Sequence, residues 1–399
     1  MNFTLSEEQK TIQRTIREFA QKELVPKAAE IDRTAQIPEG IVEKMAGMGL
    51  FGMTVPPPLG GSGAGAVSLL VAVEEVAAAC ASSTMLIIPQ IMVEQGLLAF
   101  GTEAQKRYIT SLAKGEKLCT LSLTEPVAGS DIAALQCKAT PKGDQYVLNG
   151  TKSFACNAGE ADLNLVLVRT SEKPGASGLS FIIVEKGVPG LSFGEPLEKL
   201  GVRGIPSKEM IFKDCAVPRD NLLGKEGMGL VQLFAIAGLG GLSAGTISVG
   251  IARTAFQKAV EYAKERSAFD KKLREFEATQ FAVADMAISI DAARLLLYRA
   301  AKSIEDGRPN PVEVFMAKTL AGEMAVEVAD RALQIFGGYG YTREFEVERH
   351  YRDARAFTLY PLTAEVYRLL LGRTLLDLGL PWKGTPPIGP PSRPGTKRY

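Results

Sequence analysis

The hydrophobic periodicity of this chain changes twice, and no other sequence feature constrains the fold as strongly. From Ser6 to about Ala113, apolar residues recur at spacings of three and four, which predicts helices. Between about Leu121 and Gly224 the apolar runs are short, β-rich and separated by turn residues, which predicts strands. Helical periodicity then returns from about 227 to 380. We therefore expect an α+β chain with an N-terminal helical domain, a compact middle β domain and a C-terminal four-helix bundle.

These changes predict the domain boundaries 1–120, 121–225 and 226–380. The remaining segment, 381–399, reads PWKGTPPIGPPSRPGTKRY and is rich in proline. Such a composition is typical of an extended arm or a disordered tail.

Several local signals refine this prediction. Ser6, with a glutamine three residues later, predicts a helix that begins with a capping box. The run PPPLGGSG at 56–63 predicts a loop, and Pro89 is expected to interrupt the apolar stretch from 66 to 100. The dipeptide Asn149-Gly150 is typical of a β-hairpin turn.

Composition excludes several classes of function. The formal net charge is +1, and no dense Lys/Arg run occurs before the extreme C-terminus, so we expect no nucleic-acid binding. His350 is the single histidine, which excludes a multi-histidine metal site and argues against histidine-based catalysis. The five cysteines lack a CxxC pair, so we expect no metal site, and reduced thiols in the cytoplasm.

One segment, 227–252, contains no charged residue and could be mistaken for a membrane span. Its many Gly, Ala and Ser residues lower its hydrophobicity, and a charged amphipathic helix follows directly. We therefore interpret it as a buried core helix and expect no membrane span.

Two short runs have the composition of a ligand-binding loop. LTEPVAGSD at 123–131 combines hydroxyls, small residues and backbone N–H groups that can hold a polar ring edge or a phosphate, although a structural turn would look the same. At Gly337-Gly338 the backbone can approach a ligand closely, because neither residue has a Cβ. Neither run is a dinucleotide fingerprint or a Walker loop.

Five segments, in order and at the family's spacing, closely resemble the signature segments of the acyl-CoA dehydrogenase family. They are LTEPVAGSD (123–131), NGTKSFACNA (149–158), ERSAF (265–269), QIFGGYGY (334–341) and VERHYRDAR (347–355). The resemblance covers about residues 3–378. It implies a helical, β-barrel-like and four-helix-bundle architecture that binds FAD and a CoA-thioester substrate. It also implies a homotetramer that passes electrons to an electron-transferring flavoprotein.

The resemblance assigns FAD-binding roles to matching positions. The matched positions are Leu121, Leu123, Thr124, Gly129, Ser130, Phe154, Ala155, Cys156, Arg266, Phe269, Gln334, Gly337, Gly338, Thr363 and Glu365. Cys156 stands where the family usually has threonine, and it is a poorer hydrogen-bond partner for a flavin. Arg266 suits a pyrophosphate, because its planar guanidinium pairs with two phosphate oxygens. In the family the pyrophosphate and adenosine contacts cross a subunit boundary.

The catalytic position departs from the family. Most members carry a glutamate base in a Tyr-Glu-Gly-Thr turn, but here the turn is Tyr360-Pro361-Leu362-Thr363, and proline cannot accept a proton. Other members carry the base on the helix before ERSAF, and the matching positions here are Gly240 and Gly241. Charged residues of that helix that usually contact CoA are missing as well.

Two carboxylates are candidates for a relocated base. Glu94 lies in the apolar segment expected to line the acyl pocket, where burial would raise its pKa. Glu365 follows the altered turn, although glutamate is common there in the family. Arg203 could bind an anionic acyl substituent, and the resemblance places Ser130 and Tyr360 near the substrate.

Three functions fit these observations. The first is an FAD-dependent acyl-CoA dehydrogenase with a relocated base, shaped for a cyclic or branched acyl group. The second is a related flavoprotein that eliminates CO2 or a sulfur oxyanion without oxidation, with Arg203 as the anchor. The third is a non-catalytic assembly subunit, which the weakened CoA-contacting helix would suit.

Overall fold

The computed structural model describes residues 4–382 of the chain, and its N-terminal part is helical. The helices are α1 (Glu7–Glu23), α2 (Ala28–Thr34), α3 (Ile41–Gly47), α4 (Gly65–Ala79), α5 (Ala81–Thr84), α6 (Ile87–Phe100) and α7 (Glu103–Ala113). The predicted capping box is confirmed, since Ser6 and Gln9 each accept the backbone N–H of the other. Most of the predicted Pro-rich tail, 383–399, lies outside the described residues.

The apolar stretch breaks earlier than the sequence predicts. Helix α4 ends before Cys80, whose backbone is extended, and a second break precedes α6. Pro89 lies inside the first turn of α6 and does not interrupt it, because the first-turn N–H groups have no partner within the helix. The predicted loop at 56–63 is confirmed and contains one short 3-10 turn, Pro57–Leu59.

A mostly antiparallel sheet forms the middle of the chain. Its strands are β1 (Cys119–Ser122), β2 (Lys138–Lys142), β3 (Gln145–Cys156), β4 (Leu163–Arg169), β5 (Leu179–Glu185), β6 (Leu191–Phe193) and β7 (Ser207–Pro218). The strand order is β1-β4-β2-β3-β7-β6, and β5 pairs with β4. The long β3–β7 pairing begins with Gln145 opposite Pro218 and is shifted at two bulges.

The predicted hairpin at Asn149-Gly150 is wrong. Both residues lie inside β3, and the register shift between Leu148 and Gly150 marks a bulge. A Cβ on Gly150 would stand 2.7 Å from the Cα of Cys137, so glycine serves close packing here. The Asn149 amide bonds across the sheet to the backbone and side chain of Asp214. The β2–β3 turn lies at Gly143 instead.

The C-terminal part is a helical bundle. Its helices are α8 (Gly229–Glu265), α9 (Glu277–Glu305), α10 (Pro311–Phe336), α11 (Val347–Ala356) and α12 (Ala364–Leu375), with a short hairpin of β8 (Ser267–Ala268) and β9 (Lys271–Lys272) after α8. Two stretches, 81–100 and 229–265, are long and apolar enough to span a membrane, but 78% and 72% of their most apolar windows are buried inside the protein. That burial is typical of core helices. The predicted fold class is confirmed.

The two helical domains share one hydrophobic core, which also covers one face of the sheet. An ion network strengthens this contact at the buried Glu74-Glu75 pair of α4. Arg253 of α8 bonds to both carboxylates, Arg294 of α9 to Glu74, and Arg17 of α1 to Glu75. The opposite face of the sheet has a separate small core that includes Tyr146 and Val166.

Candidate active site

A buried ion pair holds the run 123–131 against the sheet. Lys152 Nζ of β3 lies 2.7 Å from Glu125 Oε1, and the side chains are 0% and 2% exposed. The same ammonium donates to the Leu123 carbonyl at 3.0 Å, and the carboxylate accepts the N–H of Gln136 at 2.7 Å. Burial lowers the pKa of Lys152, although the Glu125 carboxylate partly opposes that shift. These charge-assisted hydrogen bonds therefore hold the backbone of the run 123–131 against strand β3.

Four predicted flavin residues lie along this run, and a fifth, Leu121, lies two residues before it in β1. Leu121, Leu123 and Thr124 are half-buried, whereas Gly129 and Ser130 are exposed. No atom lies within 4 Å of the position that a Cβ on Gly129 would take. The run thus presents an open surface of backbone and hydroxyl groups, as a bound polar ring requires.

Phe154 stands out from the sheet at the second bulge of β3. Its φ of 55° is left-handed, and its side chain is 64% exposed. Such a backbone is uncommon for a bulky residue and is found at sites where a side chain is aimed at a ligand. The next residue, Ala155, is buried, and the carbonyl of Cys156 accepts the Thr120 hydroxyl at 2.5 Å. Phe154 can therefore form an aromatic wall beside a planar ring.

The altered turn lies between α11 and α12. Thr363 caps α12, because its hydroxyl accepts the N–H of Val366 at 3.3 Å. Tyr360 precedes the turn, and burial raises its pKa well above the usual value, with Cys156 and Tyr367 adding to the rise. The predicted substrate residue Tyr360 thus lies beside a predicted flavin residue.

Two adjoining cavities begin at this turn. The smaller one, called the inner cavity, is lined by Met92, Leu123, Ile132, Leu230, Leu233, Phe234, Ala237, Pro361, Leu362, Tyr367 and Trp382. The larger one, called the outer cavity, has a volume of about 510 Å³ and extends along α8 to the start of α10 at Pro309, Asn310 and Pro311. Leu230, Phe234, Ala237, Leu362 and Tyr367 line both. No charged side chain lines either cavity in the described part of the chain, so both suit an apolar ligand.

Tyr367 is the residue of this site that the sequence analysis missed. It lies in α12, is 2% exposed and lines both cavities. Its hydroxyl oxygen lies 3.1 Å from the position that a Cβ on Gly241 would take. The sequence signal was the loss of a side chain at 241, but only the fold shows which residue fills the space.

Lys318 of α10 stabilises the turn at 360–363 between α11 and α12. Its buried ammonium donates to the carbonyls of Phe357, at 2.8 Å, and Leu362, at 3.3 Å, and lies 4.8 Å from the centre of the Tyr367 ring. Burial lowers its pKa to about 8, with Glu323 and Glu365 opposing the shift. Lys318 therefore fixes both the Pro361–Leu362 wall and the Tyr367 ring.

The residues predicted to bind the pyrophosphate form a second, exposed group. Arg266 and Phe269 lie at the β8–β9 hairpin, and the Arg266 guanidinium is 5.8 Å from the centre of the Tyr339 ring, next to Gly337-Gly338. Gln334 and both glycines are exposed, and nothing lies within 4 Å of a Cβ on either glycine. A phosphate could therefore approach this backbone, so the group fits the diphosphate of FAD.

Glu94 and Glu365, the two candidate bases, lie away from the cavities. Glu94 is fully buried, and neither carboxylate oxygen has a hydrogen-bond partner among residues 4–382. Burial raises its pKa well above the usual value, yet the neighbouring Met92 and Gln95, and not Glu94, line the cavities. Glu365 is exposed, and hydrogen bonds from its own backbone N–H and from Thr363 lower its pKa.

Arg203, the candidate substrate anchor, forms its hydrogen bonds away from the two cavities. Its guanidinium donates to the carbonyls of Asp32, at 2.9 Å, and Lys199, at 3.0 Å. It lines neither cavity. Across the described residues, no group of three or more His, Cys, Asp or Glu side chains could hold a metal ion.

Comparison with known proteins agrees with this architecture. Residues 6–116, 120–215 and 229–376 match the family models of the acyl-CoA dehydrogenase N-terminal, middle and C-terminal domains. The chain is 39% identical to the short-chain specific acyl-CoA dehydrogenase of Clostridium acetobutylicum, over 93% of this chain and 98% of that protein. It is also 39% identical to the acryloyl-CoA reductase (NADH) of Anaerotignum propionicum, over 94% and 96%. The solved butyryl-CoA dehydrogenase of Megasphaera elsdenii superposes with a TM-score of 0.92 at 36% identity, covering 94% of this chain and all of that one.

Proposed function

Because the chain belongs to the acyl-CoA dehydrogenase family, we propose that it is an FAD-dependent oxidoreductase acting on the Cα–Cβ bond of an acyl-CoA thioester. One observation carries the proposal. The run that begins at Leu123 and the turn at Pro361 meet on the inner cavity, which opens into a larger apolar cavity. A planar redox group and an apolar acyl chain can therefore meet there.

The cofactor would be held by two groups of residues. The run 121–130, with Phe154 and Cys156, would hold the flavin ring. Arg266, with the exposed Gly337-Gly338 backbone, would hold the diphosphate. When bound, FAD would accept a hydride from the thioester or donate one to it. The chain would orient the flavin and the thioester and exclude water.

Exposed apolar residues support assembly into an oligomer. Phe269 is 90% exposed beside Arg266, and Phe281 and Ile288 of α9, spaced by seven residues, are 66% and 68% exposed. A second copy that covers this surface would complete the adenosine side of the site, in keeping with a homotetramer. We place the protein in the cytoplasm, with an electron-transferring flavoprotein as its redox partner.

The catalytic position is atypical in this proposal. Pro361 occupies the place of the usual glutamate, so the proton at Cα must be moved by another group. The outer cavity of about 510 Å³ is wide enough for a cyclic or branched acyl group.

The elimination alternative has less support, because Arg203 bonds to two backbone carbonyls and not to the cavity. The alternative of a non-catalytic subunit requires that no flavin binds. Flavin binding and flavin reduction distinguish both alternatives from the proposed function.

The test uses the purified full chain with added FAD. A yellow protein whose flavin absorbance bleaches anaerobically with saturated acyl-CoAs, or whose reduced flavin is reoxidised by enoyl-CoAs, is the expected result. A protein that stays colourless with FAD would contradict the proposal. A yellow protein that exchanges electrons with no member of a panel of linear, branched and cyclic thioesters would contradict it as well.

A further inference from the structure

Tyr367, which lines the two cavities, has a hydroxyl group without a hydrogen-bond partner in the described structure. Its side chain is 2% exposed and lines both of them. Within residues 4–382 the hydroxyl has no hydrogen-bond partner, and burial alone accounts for the raised pKa of this phenol. A buried tyrosine hydroxyl is normally bonded, so one that faces a cavity indicates a ligand partner.

The surroundings of Tyr367 hold this hydroxyl in place. Gly241 of α8 leaves the space in which the hydroxyl sits, since a Cβ there would be only 3.1 Å from the oxygen. Phe315 packs on the ring with centroids 6.0 Å apart, and the Lys318 ammonium lies over it at 4.8 Å. The ring is therefore fixed from α8 and α10, and the hydroxyl cannot rotate away on its own.

Tyr367 shares the inner cavity with the position of the usual catalytic glutamate, which is Pro361 in this chain. Pro361 lines the inner cavity together with Tyr367, so the two residues face one space. Glu94 lines neither cavity, and Glu365 is exposed to solvent on the same helix. Of the titratable side chains in the described part of the chain, only that of Tyr367 lines either cavity.

We propose that the Tyr367 hydroxyl is the proton donor of this site when an α,β-unsaturated acyl thioester is reduced. The inference rests on the proposed function. Tyr367 gives its O–H proton to Cα, and bound reduced FAD would supply the hydride for Cβ, so that one C–H bond forms at each carbon while the C=C π bond is lost. Water entering through the outer cavity returns a proton to the phenolate.

The resting form of the hydroxyl suits this role. Burial disfavours the phenolate, so the neutral phenol is the form present in the free site, and it carries the proton that Cα receives. The same group would accept that proton in the reverse reaction, so Tyr367 serves a reversible step whose direction is set by the electron donor or acceptor.

The experiment compares the wild-type holoenzyme with Tyr367→Phe. Flavin is reduced anaerobically with dithionite, and its reoxidation by crotonyl-CoA and cinnamoyl-CoA is followed by stopped-flow absorbance. We expect the rate to fall by at least about 100-fold in the variant, the range typical of a lost general acid. A solvent deuterium isotope effect of about 2 or more is expected in the wild type and not in the variant.

A second readout does not depend on turnover. Binding of the enoyl-CoA to oxidised holoenzyme, measured by calorimetry, should weaken about 3- to 10-fold in Tyr367→Phe because one hydrogen bond is lost. The matched control is Tyr298→Phe, which removes the hydroxyl of a partly buried tyrosine that lines neither cavity. Its rate and binding should equal those of the wild type.

The outcomes separate the two proposals. If the wild type exchanges electrons with enoyl-CoA and Tyr367→Phe does so within about threefold of its rate, the role of Tyr367 is refuted while the proposed function stands. If the folded, yellow wild type reacts with no acyl or enoyl thioester, the proposed function itself is refuted.

Discussion

Lys152 and Glu125 form a 2.7 Å ion pair in which neither side chain reaches solvent. Lys152 also donates to the carbonyl of Leu123 in the run that carries the predicted flavin contacts, and Glu125 accepts the N–H of Gln136. Removing one partner leaves the other as an uncompensated buried charge. Because this pair lies directly beneath that run, its loss should affect stability and FAD binding together.

We expect Lys152→Met to lower the free energy of unfolding by about 3–5 kcal/mol, the range seen when a buried pair loses one partner. Urea unfolding followed by circular dichroism measures this change. The exposed pair Lys138–Glu172 provides the control, and Lys138→Met should cost no more than about 1 kcal/mol. The double variant Lys152→Met/Glu125→Gln should recover part of the loss, and equal losses at both lysines would contradict this account.

Glu75 should give the protein an acid-sensitive component. Burial opposes its ionisation, but hydrogen bonds from Arg253 and Arg17 outweigh burial and lower its pKa to about 2 from its ordinary value of 4.5. A depressed folded-state pKa contributes stability that is complete above about pH 4.5 and is lost as pH falls toward 2. The contribution is about 3 kcal/mol. Glu75→Gln should therefore be less stable than the wild type at pH 7, and the difference should shrink below pH 4.5 in acid titrations of unfolding.

Asp353 should make the protein less stable as pH rises, which is the opposite of the effect of Glu75. Burial raises its pKa to about 6 from 3.8, although the N–H of Val202, at 2.5 Å, favours the carboxylate. A raised folded-state pKa means that the native state holds the proton longer, so stability falls as pH rises from about 4 to 6. Asp353→Asn keeps an acceptor for Val202 and should gain about 2–3 kcal/mol relative to the wild type between pH 4 and pH 8. A constant difference across that range, in urea titrations, would contradict the assignment.

Gly241→Ala tests the contact between α8 and Tyr367. The new methyl group would lie 3.1 Å from the hydroxyl oxygen and should push it aside, while alanine favours the helix by up to about 1 kcal/mol. We expect a thermal midpoint within a few degrees of the wild type, together with a rate of flavin reoxidation at least about tenfold lower. Gly372→Ala in α12 is the control, because nothing lies within 4 Å of its Cβ position and it lines neither cavity.

Glu94→Gln tests whether the Glu94 carboxyl affects only the stability of the protein or also its catalysis. The buried carboxyl has no partner in the described structure and its pKa is raised well above the usual range, so the wild type should lose stability as pH rises. The amide carries no charge, and the variant should therefore gain stability over the wild type above neutral pH. Turnover with enoyl-CoA should be unchanged. A drop of 100-fold or more at equal flavin content would identify Glu94 as the relocated base after all.

Periodicity was enough to predict the layers of the fold, because apolar spacing alone decides which face of each helix or strand is buried. The bulge at Gly150 was misread as a hairpin, because its cause is the close approach of Cys137, which precedes β2. The same limit applies to the site. Lys152 and Glu125 are 27 residues apart in sequence, and Tyr367 meets Gly241 only across the bundle, so neither relationship leaves a local pattern.

The ion network between α4 and the bundle also bears on how the chain is made. Glu74 leaves the ribosome 220 residues before its partner Arg294. At typical rates of synthesis this interval lasts about 10 to 45 s. Until α8 (Gly229–Glu265) emerges, the apolar surfaces of α4 and α6 have no bundle helix to pack against. The N-terminal half of the nascent protein is therefore open to aggregation during that part of synthesis.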